Sequence, residues 1–186
     1  MGQRAPHWTC ILTSALCCDW LNHFGHLNGK TLNLIEIMGA PLTNQQNPVH
    51  FPYKLYTRIQ KDEVTSQLVF VRDSLMMISD IYHHENLTSV SWDNKKMEHF
   101  LSSIHRQTVE LSRCVPPSKK VNQKLRNYYR RLTRRILDQT GGSAASWELI
   151  RKETHKHLCK LDVLMNTIKY SAAASMRSPT PTQHMR

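Results

Sequence analysis

Hydrophobic positions along this chain recur at spacings of three and four, in runs separated by short breaks rich in Pro, Gly and hydroxyl side chains. That period predicts amphipathic helices. A first helix over about residues 19–38 carries Leu21, Phe24, Leu27, Leu34, Ile35 and Met38 inward, and Gly39 with Pro41 ends it. Residues 42–49 are polar and irregular, after which Pro52 opens a short helical turn through Tyr53, Leu55, Tyr56 and Ile59. A second helix, about 63–82, is apolar on most sides and is expected to be the most buried. Asp93 caps a third, with Met97, Phe100, Leu101, Ile104 and Leu111 inward and Pro116-Pro117 as its stop. The fourth, about 118–139, turns Val121, Leu125, Tyr128, Leu132 and Ile136 inward and crowds Lys and Arg on its other sides. Gly141-Gly142 then form a turn, and Ser143 or Ser146 caps a last helix. On it Trp147, Ile150, Leu158, Leu161, Met165 and Ile168 form one buried stripe, while Leu149, Lys152, Lys156 and Val163 mix apolar and cationic groups on the opposite face.

Connection lengths constrain how these helices pack. Short loops join the second helix to the third and the fourth to the last, which suits antiparallel neighbours. The link from first to second is much longer. The expectation is an all-α bundle of about five main helices, up-up-down-down with a long first crossover, the arrangement of helical cytokines.

Composition and cysteines then place the chain. The 186 residues suffice for a single core, and no apolar run reaches the roughly 20 residues of a membrane span, so no membrane insertion is expected. Arg4, the apolar segment from Trp8 and the small residues at 15–17 read as a signal peptide over residues 1–17, followed by one domain over 18–170 and a disordered tail over 171–186. Secretion allows disulfides, and Cys18, Cys114 and Cys159 remain after cleavage. Cys18 and Cys114 both stand at element ends, where a bridge does not distort packing; the alternative is three reduced thiols. Asn86-Leu87-Thr88 is a glycosylation sequon in an expected loop.

Ser146-Trp147-Glu148-Leu149-Ile150-Arg151-Lys152-Glu153 resembles the last-helix signature of type I interferons. The segments Cys18-Asp19-Trp20-Leu21, Phe51-Pro52-Tyr53-Lys54-Leu55-Tyr56, Val90-Ser91-Trp92-Asp93 and Glu98-His99-Phe100-Leu101 are similar to teleost members of the two-cysteine group, in the same order over residues 18–170. The resemblance implies a secreted antiviral cytokine that joins two class II cytokine-receptor chains and activates JAK–STAT signalling. It implies the same Cys18–Cys114 bridge. It also implies a receptor surface on the outer side of the last helix, at Arg151, Lys152, His155, Lys156 and Cys159, with Phe51-Pro52 nearby, while Trp147, Ile150, Leu158 and Leu161 belong to the core. Arg151 and Lys156 are the expected leading contacts. A second receptor chain would meet the opposite side of the bundle.

The net charge of +11 supports a rival: a basic helical module for heparan sulfate or nucleic acid. No helix-turn-helix or zinc-finger spacing accompanies the charge, so nucleic acid is not expected, and a glycosaminoglycan is retained as a further partner. The 11 histidines lack Cys or carboxylate companions at metal-site spacing, and Gly141-Gly142 lacks the flanks of a phosphate loop. No enzyme activity, metal or cofactor is expected.

Overall fold

The computed structural model describes residues 20–83, 85–117 and 122–177. The expected leader, Cys18, Val121 and residues 178–186 lie outside them. Six helices follow in order: α1 (Trp20–Ile37), α2 (Tyr53–Ile59), α3 (Val64–Tyr82), α4 (Asn94–Cys114), α5 (Gln123–Leu132) and α6 (Ala144–Arg177). A short 3-10 turn at Glu85–Ser89 holds the backbone of the Asn86 sequon.

Capping chemistry accounts for several boundaries. The Asp93 carboxylate accepts from the Lys96 N–H at 3.0 Å, satisfying a donor that the first turn of α4 leaves free. Ser143 does the same for α6 through the Ser146 N–H at 3.3 Å. Gly141 and Gly142 both take positive φ, 63° and 67°, which stops the preceding helix and reverses the chain. The fourth predicted helix is not uniform. After α5 the backbone passes through a π-helical turn, Thr133–Leu137, and a 3-10 turn, Asp138–Thr140. The expected disordered tail needs correction at its start, because α6 continues through Arg177. Adding residues to an existing helix is cheap compared with nucleating one, and Ala and Met at its end favour continuation.

Cross-helix bonds define the topology. The end of α1 meets the start of α4, where the Asp93 N–H donates to the Met38 carbonyl at 2.7 Å, and the start of α6, where Arg151 Nη1 donates to the Ile35 carbonyl at 3.0 Å. The end of α3 likewise packs Tyr82 against Phe100 of α4 and Trp147 of α6, with ring centroids 5.3 and 5.9 Å apart. At the other end of α3, Arg72 Nη1 donates to the Pro116 carbonyl beyond α4. Thus α1 and α3 run together, α4 and α6 run against them, and the long crossover containing α2 spans the bundle: up-up-down-down.

The predicted stripes are the core. Phe24, Ile35, Leu68, Leu75, Ile78, Phe100, Ile104, Leu125, Leu132, Trp147, Ile150 and Leu158 are all buried in one cluster. Helix α3 is buried on several sides as expected, although Met76 faces out. It also buries an Arg72–Asp73 pair at 2.8 Å, a charge pair in a helix otherwise read as apolar. Cys114 is disulfide-bonded at the end of α4, and Cys159 is a free thiol.

Gly39 follows α1 where Trp92 packs onto the chain, and a Cβ there would lie 2.7 Å from Trp92 Cδ1 and 3.3 Å from Arg151 Cζ. Gly29, within α1, has open space around it. Gly39→Ala should therefore lose about 1–3 kcal/mol by overpacking, whereas Gly29→Ala should gain about 0.5–1 kcal/mol by restricting the unfolded helix segment. Urea denaturation of the two variants checks the opposite signs.

Candidate functional site

The outer edge of α6 presents Lys152, His155, Lys156, Cys159 and Lys160, all half-buried, followed by Val163, which is 51% exposed. Spacings of three and four place them along one side of the helix. Each is held by a different part of the chain. Lys152 Nζ donates to the Gln45 carbonyl of the crossover at 2.8 Å. His155 Nε2 donates to the Glu36 carboxylate of α1 at 2.7 Å. Lys156 Nζ lies 4.6 Å from the Phe51 ring centroid and 5.0 Å from that of Tyr53, and Lys160 Nζ lies 5.6 Å from Tyr53, all within cation–π range. A shallow cleft of about 330 Å³ opens between the crossover and α6, walled by Gln46, His50, Tyr53, Lys152 and Lys156.

Two expected contacts change role. Phe51 is only 8% exposed and forms a ledge beneath the cations, while its neighbour Tyr53, 51% exposed, presents the aromatic surface. Pro52 stands half-buried between them. Arg151 is the larger correction: it is 0% exposed and faces no partner. Its guanidinium donates to the carbonyls of Ile35 and Glu36 at 3.0 and 3.2 Å, to the Ala40 carbonyl, and to Glu148 Oε2 through Nη2 at 2.7 Å and Nε at 2.9 Å. The other oxygen of Glu148 accepts from Trp92 Nε1 at 2.6 Å. Removing one member of such a buried charge network leaves the other uncompensated, at a cost of about 3–5 kcal/mol. The predicted core residues Trp147, Ile150, Leu158 and Leu161 are buried as expected.

Beneath the ledge lies a polar aromatic cluster that the apolar pattern does not reveal. Tyr56 Oη is hydrogen-bonded to His157 Nδ1 at 2.7 Å, and Tyr128 donates to Glu153 Oε1 at 2.8 Å. Phe51 stacks on Tyr56 at 5.4 Å and tilts against His157 at 4.5 Å. Burial, reinforced by the Lys156 ammonium, holds His157 at a pKa of about 3 instead of the ordinary 6.5, so its ring is neutral at physiological pH. Burial and the Glu153 charge push the Tyr128 hydroxyl up, which keeps it a donor. At the surface, partial burial and the carboxylates of Glu36 and Asp162 raise the Cys159 thiol, leaving it protonated and weakly nucleophilic. Tyr53, Lys160, Glu36 and Gln45 join the edge without having been singled out. An aromatic just after the helix-opening Pro52 was the one signal available for Tyr53.

The site is a cation-rimmed edge on a long-crossover helical bundle, the architecture of a helical cytokine. A model of the interferon alpha/beta domain matches residues 22–168. The chain is 36% identical to interferon a3 of Oncorhynchus mykiss over 165 residues, covering 84% of this chain and 94% of the relative. It is 24% identical to interferon alpha of Felis catus over 182 residues, 89% of this chain and 88% of that one. The structure of zebrafish interferon 1 superposes with a TM-score of 0.73 at 30% identity, covering 81% of this chain and 99% of that one. The chain belongs to the type I interferon family, with the teleost proteins. The family is one of secreted cytokines and not of enzymes, and no helix among the described residues is long and apolar enough to cross a membrane.

Because the folded pKa of His157 lies below its unfolded value, the unfolded chain takes up a proton that the native chain refuses between about pH 6.5 and about pH 3. Its contribution is complete above that window and is lost as pH falls through it, with a limiting slope of about 1.4 kcal/mol per pH unit. His157→Gln, whose amide can donate to or accept from Tyr56, should flatten this part of the stability profile in urea titrations at neutral and acidic pH. An unchanged slope would show that His157 is not the group responsible.

Proposed function

We propose that the protein acts outside the cell by joining two class II cytokine-receptor chains, which activates JAK–STAT signalling and antiviral gene expression. The observation that carries this reading is the composite edge of α6, where Lys152, Lys156 and Lys160 are held beside the exposed ring of Tyr53 and the apolar Val163. Aromatic and apolar groups of this kind supply the dehydrated centre of an interface. Surrounding cations attract acidic rim groups and set orientation and association rate. The higher-affinity receptor chain docks on this edge, with His155 and Cys159 inside its footprint. The second chain meets the opposite side of the bundle, formed by α3, α4 and α5, so that the two receptors are held at a fixed separation.

Lys152→Ala together with Lys156→Ala should weaken binding to the first receptor chain about tenfold, mostly through slower association. Interferon-type gene induction should fall with it, while unfolding free energy stays within about 0.5 kcal/mol of the parent. Surface plasmon resonance and a reporter assay read these outcomes, and unchanged binding would remove the edge from the interface. Arg151→Ala is the contrasting variant, since it should lose stability before it loses any receptor contact.

We further propose Cys18 as the partner of Cys114, the single-bridge arrangement of the two-cysteine group, and Asn86 as a glycan acceptor. Closing a loop on the order of 100 residues limits the unfolded ensemble by about 4–5 kcal/mol. Non-reducing peptide mapping should recover a Cys18–Cys114 linked pair with Cys159 open to alkylation. Linkage of Cys114 to Cys10 or Cys17 would overturn the assignment.

A further inference from the structure

Helix α5 is strongly amphipathic: Leu125, Tyr128, Tyr129 and Leu132 are buried, and Lys124, Arg126, Arg130 and Arg131 are exposed. Beside it runs α2, anchored in the core by Leu55, Tyr56 and Ile59 and exposing Lys54 and Arg58 one turn apart. Between the two helices lies an open cleft of about 320 Å³ whose cations are Lys54, Arg58, Lys124 and Arg131. No carboxylate lines it, and none of the four makes an ion pair among the described residues. Glu153, buried behind the cleft's Tyr128, accepts from that hydroxyl.

Four like charges held at one cleft without a counter-charge repel one another, and this repulsion is relieved by an external polyanion that displaces their small counterions. The rigid helices fix the spacing. Lys124 and Arg131, seven residues apart on α5, stand about 10 Å apart along its axis, which suits anions repeated along a chain better than a single small ion. Two of the four are Arg, whose planar fork donates paired hydrogen bonds to tetrahedral and planar oxyanions.

We propose that the α2–α5 cleft, which adjoins the α6 edge at Pro52, binds a sulfated glycosaminoglycan chain. The inference rests on the reading of the protein as an extracellular cytokine, because that is where such chains are met. The cleft lacks the features that other polyanions use. The aromatic ring in its wall, Tyr128, is buried and leaves no face on which a base could stack. Leu55 in the wall is buried as well, so there is no apolar wedge beside the cations to enter a lipid surface.

The test compares the full-length protein with Lys54→Gln/Arg58→Gln/Lys124→Gln/Arg131→Gln and with a control losing equal charge elsewhere, Lys30→Gln/Lys95→Gln/Arg113→Gln/Lys169→Gln. At physiological salt the cleft variant should bind immobilised heparin about tenfold or more weakly, with a shallower salt dependence, and the control should change by less than about threefold. Equal losses in the two variants would reduce the effect to net charge and overturn the site. Binding to desulfated heparin as tight as to heparin, or cleft-dependent binding to duplex DNA or to phosphatidylserine vesicles tighter than to heparin, would overturn the ligand class. Gene induction in cells lacking heparan sulfate separates this inference from the receptor reading. A parent protein that signals there but ignores heparin would sink the cleft alone and leave the receptor reading intact.

Discussion

Arg151 closes the end of α1 from the opposite side of the bundle. A helix leaves its last carbonyls without intrahelical donors, and here each is met by a group distant in sequence. Arg151 takes those of Ile35 and Glu36, Lys96 Nζ takes that of Ile37 at 3.2 Å, and the Asp93 N–H takes that of Met38. The guanidinium also reaches the Ala40 carbonyl and so sets the direction in which the crossover leaves. Its positive charge at the negative end of the α1 dipole is favourable, and Glu148 neutralises what remains. Trp92, bonded to Glu148 and pressed onto Gly39, ties the entry of α4 to the same knot.

The receptor edge depends on that closure. Once the crossover departs in a fixed direction, Gln45 falls beside Lys152 and Phe51 falls beneath Lys156. The buried Tyr56–His157 and Tyr128–Glu153 bonds then hold Phe51 from below. Residues from α1, the crossover, α2 and α6 are thus brought to one surface although more than a hundred positions separate Glu36 from His155. The same crossover carries Lys54 and Arg58 to α5, so one connection serves two cationic surfaces of different character. At the first, lysines are paired with rings and carbonyls; at the second, cations face solvent together.

At Arg151 helical period and family resemblance pointed to opposite faces of α6, and the side chain is buried. The residue lies four positions after Trp147 and seven before Leu158, spacings that belong to the buried stripe, yet the family resemblance placed it on the receptor surface. Period alone would have placed it correctly. Glu153 and His157 are likewise buried, on a second flank of α6 that also includes Leu164. Polar residues can occupy such positions only if tertiary partners satisfy them, and those partners, carbonyls at the end of α1 and tyrosines of α2 and α5, are invisible in the local sequence. The extension of α6 through Arg177 reflects a similar competition, in which propagation along an existing helix outweighed a Ser- and Ala-rich composition.

Helix number, inward stripes, the Asp93 cap, the Gly141-Gly142 reversal and the long crossover were determined by the sequence itself, because periodicity, capping and turn formation act within a few residues. The signature segments carried the family as well. Tertiary structure alone decided which charges are free. It buried Arg151 against an exposed helix end, seated Lys156 over Phe51 and Tyr53, and left Lys54, Arg58, Lys124 and Arg131 facing one another without acids. The physical reason is that an ionic side chain takes its role from the dielectric and the partners around it, and both are set by segments that meet only when the bundle closes.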